Sequence, residues 1–159
     1  MAARFEQRRS RVRDPTVATV AAVYTVDASV FVSAFNPAEP DHPASHRLLT
    51  RLRDTIAPIA VPTLVLPEVA AAISRVRQDA QLAREFATQV ARLPTLVLVP
   101  LDATLAHSAV EIAAAYRLRG SDAVYVSVAL RFGSLLVTLD RQQAERAKAV
   151  VAVSSPADA

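Results

Sequence analysis

The segment LRGSDAVYVSVALRFGSLLVTLDR, Leu118–Arg141, decides the fold class of this chain. Its first part, up to about Arg131, is apolar on nearly every helical face, which is typical of a helix buried in a core. Gly133 follows at the position where a helix commonly ends in a left-handed residue. Leu135–Thr138 is then apolar without alternation, which indicates a strand buried on both faces. A helix and a strand of this kind predict a parallel sheet covered by helices.

The rest of the chain repeats this pattern of short apolar runs and longer helical segments. Further strands are predicted at Val23–Val26, Ile59–Val61, Thr95–Val99 and Val150–Val153. Helices are predicted at Ser29–Phe35, from Asp41 or His42 to Asp54, after a Thr63 cap, at Ala80–Arg92, from an Asp102 cap to Tyr116, from a Ser121 cap to Arg131, and at Gln142–Lys148. The alternation predicts a three-layer α/β domain with a central, mostly parallel sheet flanked by helices.

The chain contains only two glycines, Gly120 and Gly133. Each follows a predicted helix, where we expect a left-handed C-terminal residue. Neither a glycine-rich dinucleotide or phosphate loop nor a GxSxG nucleophile elbow can be written with these two residues. Dinucleotide-binding, P-loop and serine-hydrolase functions therefore lose their main support.

Composition limits the remaining classes. The chain has 159 residues, of which 52% are hydrophobic, enough for one globular domain with a real core. The absence of cysteine excludes disulfides, thiolate catalysis and cysteine-based zinc sites, and it fits a reducing, cytoplasmic location. No apolar stretch approaches the roughly 20 residues that cross a bilayer, so we expect no membrane association.

The net charge of +3 is concentrated at the N-terminus. Residues 1–14 contain five arginines against Glu6 and Asp14, whereas the remainder has 13 basic and 13 acidic residues. The basic isoelectric point therefore does not indicate a basic globular face. We expect residues 1–21 to be a disordered arginine-rich extension rather than a secretory signal, residues 22–154 to form the domain, and residues 155–159 to be a short tail.

Four acidic residues hold positions that suggest a common site. Asp27, in AVYTVDASVFVSAF, and Asp140 each follow an apolar strand, so both should emerge at the carboxyl edge of the sheet. Glu68 begins a helix in an otherwise uncharged segment, and Asp122 begins the buried helix. Four carboxylates at one edge would repel one another unless a cation neutralised them. Oxygen ligands without cysteine or adjacent histidine point to Mg²⁺ or Mn²⁺, as one or two ions.

Each of the four acids also has a structural interpretation. Asp27, Asp122 and Asp140 could be helix caps, since aspartate is a preferred N-cap residue. Glu68 could favour a helix start through the helix dipole. Taken singly these interpretations remain open, and it is the set of four that favours a metal site.

The segments YTVDASVFVSAF, LPEVAAAISR and LRGSDAVYVSVALRFGSLLVTLDR together resemble the acidic motifs of the PIN domain family, in particular the VapC toxins of bacterial toxin–antitoxin pairs. The resemblance covers Val23 to about Val153, with the motifs in order. Its most specific part is the G-x-D-A helix start followed by a strand and T-x-D. The arginine-rich extension before Val23 departs from the family pattern, because many relatives begin close to the first strand.

The resemblance implies a metal-dependent endoribonuclease in which metal-activated water cleaves RNA. It implies that Asp27, Glu68, Asp122 and Asp140 are the metal-binding catalytic acids. Ser29 and Thr138 would orient carboxylates or a metal-bound water through hydrogen bonds, with Ser121 in a similar supporting position. The resemblance further implies a homodimer and an antitoxin whose helix packs into an apolar groove.

Three arginines are candidates for RNA phosphate contacts: Arg75, Arg117 and Arg119. Solvated helix ends that interact with the C-terminal dipole would explain the same positions equally well. Both interpretations stay open at the level of sequence.

Two other functions compete with the nuclease. A haloacid-dehalogenase-type phosphatase also places aspartate after its first strand, but it requires a second aspartate two residues later, where this chain has Ser29. A catalytically silent PIN-like module that binds RNA or protein is the non-enzymatic alternative. The presence of all four acids speaks against such a module, because a scaffold does not need clustered charge.

Overall fold

The computed structural model describes residues 22–159. Its strands are β1 (Tyr24–Val26), β2 (Ile59–Pro62), β3 (Leu96–Val99), β4 (Leu135–Val137) and β5 (Val153–Ser154). Its helices are α1 (Ala28–Phe35), α2 (His42–Asp54), α3 (Val65–Arg77), α4 (Ala80–Ala91), α5 (Ala103–Tyr116), α6 (Gly120–Phe132) and α7 (Arg141–Ala147). The predicted alternation of strands and helices is confirmed.

The five strands form one parallel sheet in the order β3-β2-β1-β4-β5. From the central β1, the chain adds β2 and then β3 on one side, and only later β4 and β5 on the other. Tyr24 of β1 is in register with Ile59 of β2 and with Leu135 of β4. The order of the strands therefore reverses between β1 and β4, where parallel α/β sheets open a crevice for ligands.

Helix α6 is the central packing element, as its sequence predicts. Eight consecutive residues, from Asp122 to Ala129, are buried. The helix packs against β1, β2 and β4 on one side and against α5 on the other. A helix buried on all faces cannot tolerate charge along its length, so the single acid of α6 lies at its first turn, where the core meets the sheet edge.

The structure corrects several local predictions. Helix α6 starts at Gly120, one residue before the predicted Ser121 cap, and the left-handed residue that ends α5 is Arg117 (φ 56°), not Gly120. Only Gly133 takes the predicted left-handed conformation, with φ 57°. Helix α3 begins after Leu64 without a side-chain cap, so Thr63 does not cap it.

The last strand is also displaced from its predicted position. We expected Val150–Val153, but β5 is Val153–Ser154. The N–H groups of Val150 and Val151 donate to the Ala147 carbonyl at 2.8 and 3.0 Å, which continues the turn after α7 and delays the strand.

The arginine-rich extension, residues 1–21, lies outside the described residues. The expected tail after Ser154 folds back on α2, where Arg51 Nη2 donates to the Ala159 carbonyl oxygen at 2.7 Å. Within residues 22–159, no helix has the length and apolar character needed to span a bilayer.

Candidate metal centre

Asp27 and Asp140 stand on the two sides of the crevice between β1 and β4. Asp27 follows the last residue of β1 directly, and its backbone N–H donates to the Val137 carbonyl at 2.9 Å. Asp140 follows β4 after two residues and precedes α7. Because the two strands are parallel neighbours, both carboxylates lie at the same edge of the sheet, as predicted.

The other two acids reach the same place from helices. Glu68 lies in the first turn of α3, which follows β2, and Asp122 lies in the first turn of α6. All four carboxylates line one cavity of about 730 Å³. The four predicted site residues are therefore brought together, although they come from four separate segments of the chain.

Asp27 is both a helix cap and a buried charge. Its Oδ2 accepts a hydrogen bond from the Ser29 N–H at 3.0 Å, which caps α1. Burial raises the pKa of the Asp27 carboxyl above its usual range, and the negative charges of Asp122 and Asp140 add to this effect. Hydrogen bonds from Ser29 oppose the rise in pKa without cancelling it. The capping interpretation is thus correct for Asp27, but it leaves the charge uncompensated.

Asp140 is held more firmly and its charge is better compensated. Its Oδ1 caps α7 by accepting from the N–H groups of Gln142 at 2.8 Å and Gln143 at 3.0 Å. Its own N–H donates to Thr138 Oγ1 at 3.0 Å, and that hydroxyl donates to Gln143 Oε1 at 2.6 Å. The bond from the Gln143 N–H, with help from Arg119, holds the pKa of Asp140 below its usual range.

Glu68 is oriented by a tyrosine of the buried helix. Tyr125 Oη donates to Glu68 Oε2 at 2.7 Å. Partial burial raises the pKa of the Glu68 carboxyl above its usual range, whereas the hydrogen bonds from Tyr125 and Ser121 act in the opposite direction. Burial next to the charges of Asp27 and Glu68 also raises the pKa of Tyr125, so its hydroxyl stays a donor.

Arg119 joins the two remaining acids. Its Nε donates to Asp122 Oδ2 at 2.8 Å, and its Nη2 contacts Asp140 Oδ2. Asp122 does not cap α6, whose N-cap position belongs to Arg119 without a side-chain cap bond. The capping interpretation is therefore wrong for Asp122, whose side chain is engaged by an arginine instead.

The donor set of the cavity fits a hard divalent cation, since it consists of carboxylate oxygens. Asp27 and Glu68 retain unfavourable charge that a cation would relieve. Within residues 22–159, however, no three acidic or histidine side chains are drawn close enough together to hold one ion as they stand. The guanidinium of Arg119 lies between Asp122 and Asp140, where it provides positive charge to part of the acidic set.

The sequence profile of the PIN domain family matches residues 24–149, most of the chain and all four acids. The chain belongs to the PIN domain family. No curated protein matches it in sequence.

Solved structures show the same fold at low sequence identity. VapBC2 from Rickettsia felis, bound to a DNA fragment from its promoter, is 16% identical with a TM-score of 0.63, over 84% of this chain and 98% of that one. Mycobacterium tuberculosis VapC20, a toxin that cleaves the sarcin-ricin loop, is 18% identical with a TM-score of 0.63, over 77% and 93% of the two chains. PAE2754 from Pyrobaculum aerophilum is 22% identical with a TM-score of 0.63, over 86% and 85%.

Of the predicted supporting residues of this PIN domain, Ser29 and Ser121 hydrogen-bond the carboxylates of Asp27 and Glu68 as expected, and Thr138 does not. The Ser29 hydroxyl accepts from the Leu139 N–H at 3.2 Å, which ties α1 to the loop after β4. Thr138 acts on the backbone of Asp140 rather than on its carboxylate. Ser121 lines the cavity beside Glu68.

The three predicted arginines are separated by the PIN fold. Arg75 is exposed and lines the cavity. Arg119 also lines it, but as the ion-pair partner of two acids. Arg117 lies outside the cavity lining, at the C-terminus of α5, where its carbonyl oxygen accepts a hydrogen bond from the Arg146 side chain.

Two further residues, Tyr125 and Gln143, support the site, and sequence reasoning did not select them. Tyr125 follows Asp122 by three residues on α6, so helical spacing could have placed it on the same face. Gln143 is fully buried and follows the Asp140 cap by three residues, a spacing typical of the capping box. Both signals are weak alone, because each residue also fits an ordinary core or surface helix.

Proposed function

We propose that this PIN domain is a metal-dependent endoribonuclease that cleaves RNA phosphodiester bonds with water activated by Mg²⁺ or Mn²⁺. The convergence of Asp27, Glu68, Asp122 and Asp140 on one cavity at the reversal point of the sheet carries the proposal. Carboxylates concentrated at such an edge repel one another and destabilise the fold. Binding of a cation would offset this repulsion and would explain why the acids are placed together.

The proposed roles of the residues follow from their contacts. These four carboxylates would hold the ion. The ion would act as a Lewis acid that neutralises charge on the phosphate oxygens and lowers the pKa of a water molecule. Tyr125 fixes the orientation of the Glu68 carboxylate. Thr138 and Gln143 fix the backbone that presents Asp140. Hydrogen bonds of this kind keep ligands in place so that little reorganisation is needed during reaction.

Basic side chains around the cavity suggest how the RNA backbone is held. Arg75 lies at the cavity on α3. A second groove shares Asp140 with the first and continues past Arg141 and Lys148. We propose that phosphates on either side of the cleaved bond contact these cations, which favours a single strand lying across the sheet edge.

We further propose that the protein acts in the cytoplasm as the toxin of a toxin–antitoxin pair, as a homodimer inhibited by its cognate antitoxin. Two observations support this proposal. The fold is shared with the toxin VapC20 and with the VapBC2 complex. An apolar groove between α1, α2 and α4, lined by Phe31, Phe35, Leu49 and Phe86, offers a surface for a partner helix.

Cleavage of defined RNAs tests the enzymatic part. Purified protein is incubated with structured and single-stranded RNA in Mg²⁺, Mn²⁺ or EDTA, beside Asp27→Asn and Asp140→Asn. We expect cleavage only with the divalent ions, 5′-phosphate and 3′-hydroxyl ends, and loss of activity in both variants. Asp79→Asn is the matched control, because the Asp79 carboxylate also caps a helix, α4, by accepting from the Leu82 N–H at 2.9 Å, but lies outside the cavity.

Two results would contradict the assignment. Cleavage that persists in EDTA or in the two variants would remove the metal-binding acids from the reaction. RNA binding without cleavage under any condition would favour the catalytically silent module. For the toxin role, inducing the wild-type chain in a bacterial host should arrest growth, Asp27→Asn should not, and co-expression of the cognate antitoxin should restore growth.

A further inference from the structure

Arg119 makes the most unusual contact of the site. Its guanidinium bridges Asp122 on α6 and Asp140 before α7, and it uses Oδ2 of each carboxylate. Both acids are largely shielded from solvent, with side-chain exposures of 12% and 30%, whereas the arginine side chain is 61% exposed. Two proposed metal ligands are therefore held by the guanidinium of an arginine whose own side chain is mostly exposed to solvent.

Only one carboxylate oxygen of Asp140 lies outside the helix cap and could bind an ion without disturbing it. Its Oδ1 is occupied by the N–H groups of Gln142 and Gln143, which cap α7. Oδ2 is the oxygen outside that cap, and Arg119 binds it. A divalent ion held by Asp140 would require the same oxygen unless it disrupted the cap. The arginine and the ion therefore compete for the same oxygen.

We propose that Arg119 is a positioning residue that holds Asp122 and Asp140 in the metal-free protein and is displaced from them when a divalent ion binds. The inference rests on the proposed function, because it requires the acids to be metal ligands. The displacement is inexpensive, since an ion pair with a largely exposed arginine contributes little to stability. Once displaced, the guanidinium stays at the cavity, where it can meet a phosphate oxygen.

Direct Mn²⁺ binding to the full chain, without RNA, tests this exchange. Titration is followed by calorimetry and by the electron paramagnetic resonance signal of free Mn²⁺. Arg119→Ala removes the competitor, so we expect it to bind Mn²⁺ about three- to tenfold more tightly than wild type. Arg119→Lys keeps the charge but replaces the two donor atoms, Nε and Nη2, with a single ammonium, which weakens the bridge, and we expect it also to bind more tightly than wild type.

Arg131→Ala is the matched control. Arg131 lies at the other end of α6 and pairs with Asp102 at 3.4 Å, so the variant deletes an arginine–aspartate pair without touching the cavity. Its Mn²⁺ affinity should equal that of wild type. A second readout is the Nε–H resonance of Arg119 in nitrogen-15 spectra, identified by its loss in Arg119→Lys, which should shift when Mg²⁺ is added to the wild-type protein.

The outcomes separate this inference from the proposed function. Equal or weaker Mn²⁺ binding by Arg119→Ala, in a variant whose circular dichroism is native, would overturn the exchange while leaving the metal centre in place. Wild-type affinity in Arg119→Lys would also overturn it, since charge alone would then explain the effect of alanine. Failure of both wild type and Arg119→Ala to bind Mn²⁺ would overturn the metal centre itself, and the exchange with it.

Discussion

Asp27 combines two roles, as the cap of α1 and as a proposed metal ligand, and they place different requirements on its carboxylate. Its carboxylate caps α1 by accepting from the Ser29 N–H, and the residue as a whole is only 8% exposed. Burial next to Asp122 and Asp140 disfavours the charged form. A cap needs only an oxygen acceptor, whereas a metal ligand needs the charge. The two demands can therefore be separated by substitution.

We expect Asp27→Asn to abolish cleavage and to stabilise the metal-free protein. The amide keeps an oxygen for the Ser29 N–H and removes the buried charge. In EDTA at neutral pH, the melting temperature should rise by roughly 2–4 °C for each kcal/mol gained. Cleavage in Mg²⁺ should fall by about 100-fold or more. Thermal denaturation and an RNA cleavage assay measure the two effects.

The pH dependence of this stabilisation has a definite sign. Because the folded pKa of Asp27 is raised, the folded wild-type protein takes up a proton as the pH falls through that pKa, while the unfolded chain is still charged. Wild-type stability therefore rises relative to Asp27→Asn over this range. The advantage of the variant should be largest at neutral pH and should vanish near pH 3.8. A variant that is less stable than wild type in EDTA at neutral pH would contradict the argument.

Tyr125 provides a second prediction at the level of a single residue. Tyr125→Phe removes the hydroxyl that donates to Glu68 Oε2 but keeps the ring in the core. We expect the free energy of unfolding to fall by about 1–2 kcal/mol, and cleavage to fall by about three- to tenfold as Glu68 loses its orientation. Tyr116→Phe is the control, because Tyr116 is 37% exposed and lies at the end of α5 outside the cavity. Wild-type cleavage by Tyr125→Phe would show that Glu68 needs no such support.

At the scale of elements, α7 connects helix stability to the site. The helix has seven residues and begins with two N–H groups that depend on Asp140 Oδ1. The same residue presents Oδ2 to Arg119. Capping and charge are therefore combined in one side chain, as the two open interpretations of the sequence allowed.

Two substitutions of Asp140 distinguish capping from charge. Asp140→Asn keeps an acceptor for the N–H groups of α7, while Asp140→Ala removes it. We expect both to lose cleavage, and Asp140→Ala to lose about 0.5–2 kcal/mol more stability than Asp140→Asn. Chemical denaturation and the RNA assay report the two properties. If Asp140→Asn cleaved like wild type, the residue would be a cap and not a metal ligand.

The elements themselves could be predicted because their signals are local. Strand runs without alternation located β1 to β4, and Asp102 was correctly predicted to cap α5, where its Oδ1 accepts from the Leu105 N–H at 2.7 Å. Errors arose where two residues compete for one role. Arg117 rather than Gly120 takes the left-handed position, because α5 ends at Tyr116 and Gly120 is already the first residue of α6.

The convergence of the four acids on one cavity could be predicted from the sequence, but the contacts of their side chains could not. Strand ends and helix starts mark the four acids in the sequence. The contact of Arg119 with Asp140 spans 21 residues, and that of Tyr125 with Glu68 spans 57. Such contacts depend on how α6 lies across the sheet, which no local pattern contains. From the sequence, Arg119 was therefore open to two interpretations, an RNA contact or a solvated helix end, and its pairing with both acids emerged only from the structure.

For the molecule as a whole, burial disfavours the charges of Asp27 and Glu68, and ion binding should relieve this cost. An ion that binds only the folded state stabilises it by about 2.7 kcal/mol at 100 times its dissociation constant. We therefore expect saturating Mn²⁺ to raise the melting temperature by roughly 5–10 °C. Asp122→Asn should lose most of this shift, while Asp79→Asn should keep it. A melting temperature that does not respond to Mn²⁺ or Mg²⁺ would contradict the proposed centre.

The position of β4 between β1 and β5 also sets when the acids can meet during synthesis. Tyr24 of β1 pairs with Leu135 of β4, so β1 gains this neighbour only when residues far along the chain have been synthesised. Asp140 reaches the sheet edge only after that pairing forms, which loop closure makes slow. A nascent chain stopped before Leu135 carries three of the acids and lacks the crevice that gathers them. The complete acidic site can therefore assemble only after nearly all of the domain has been synthesised.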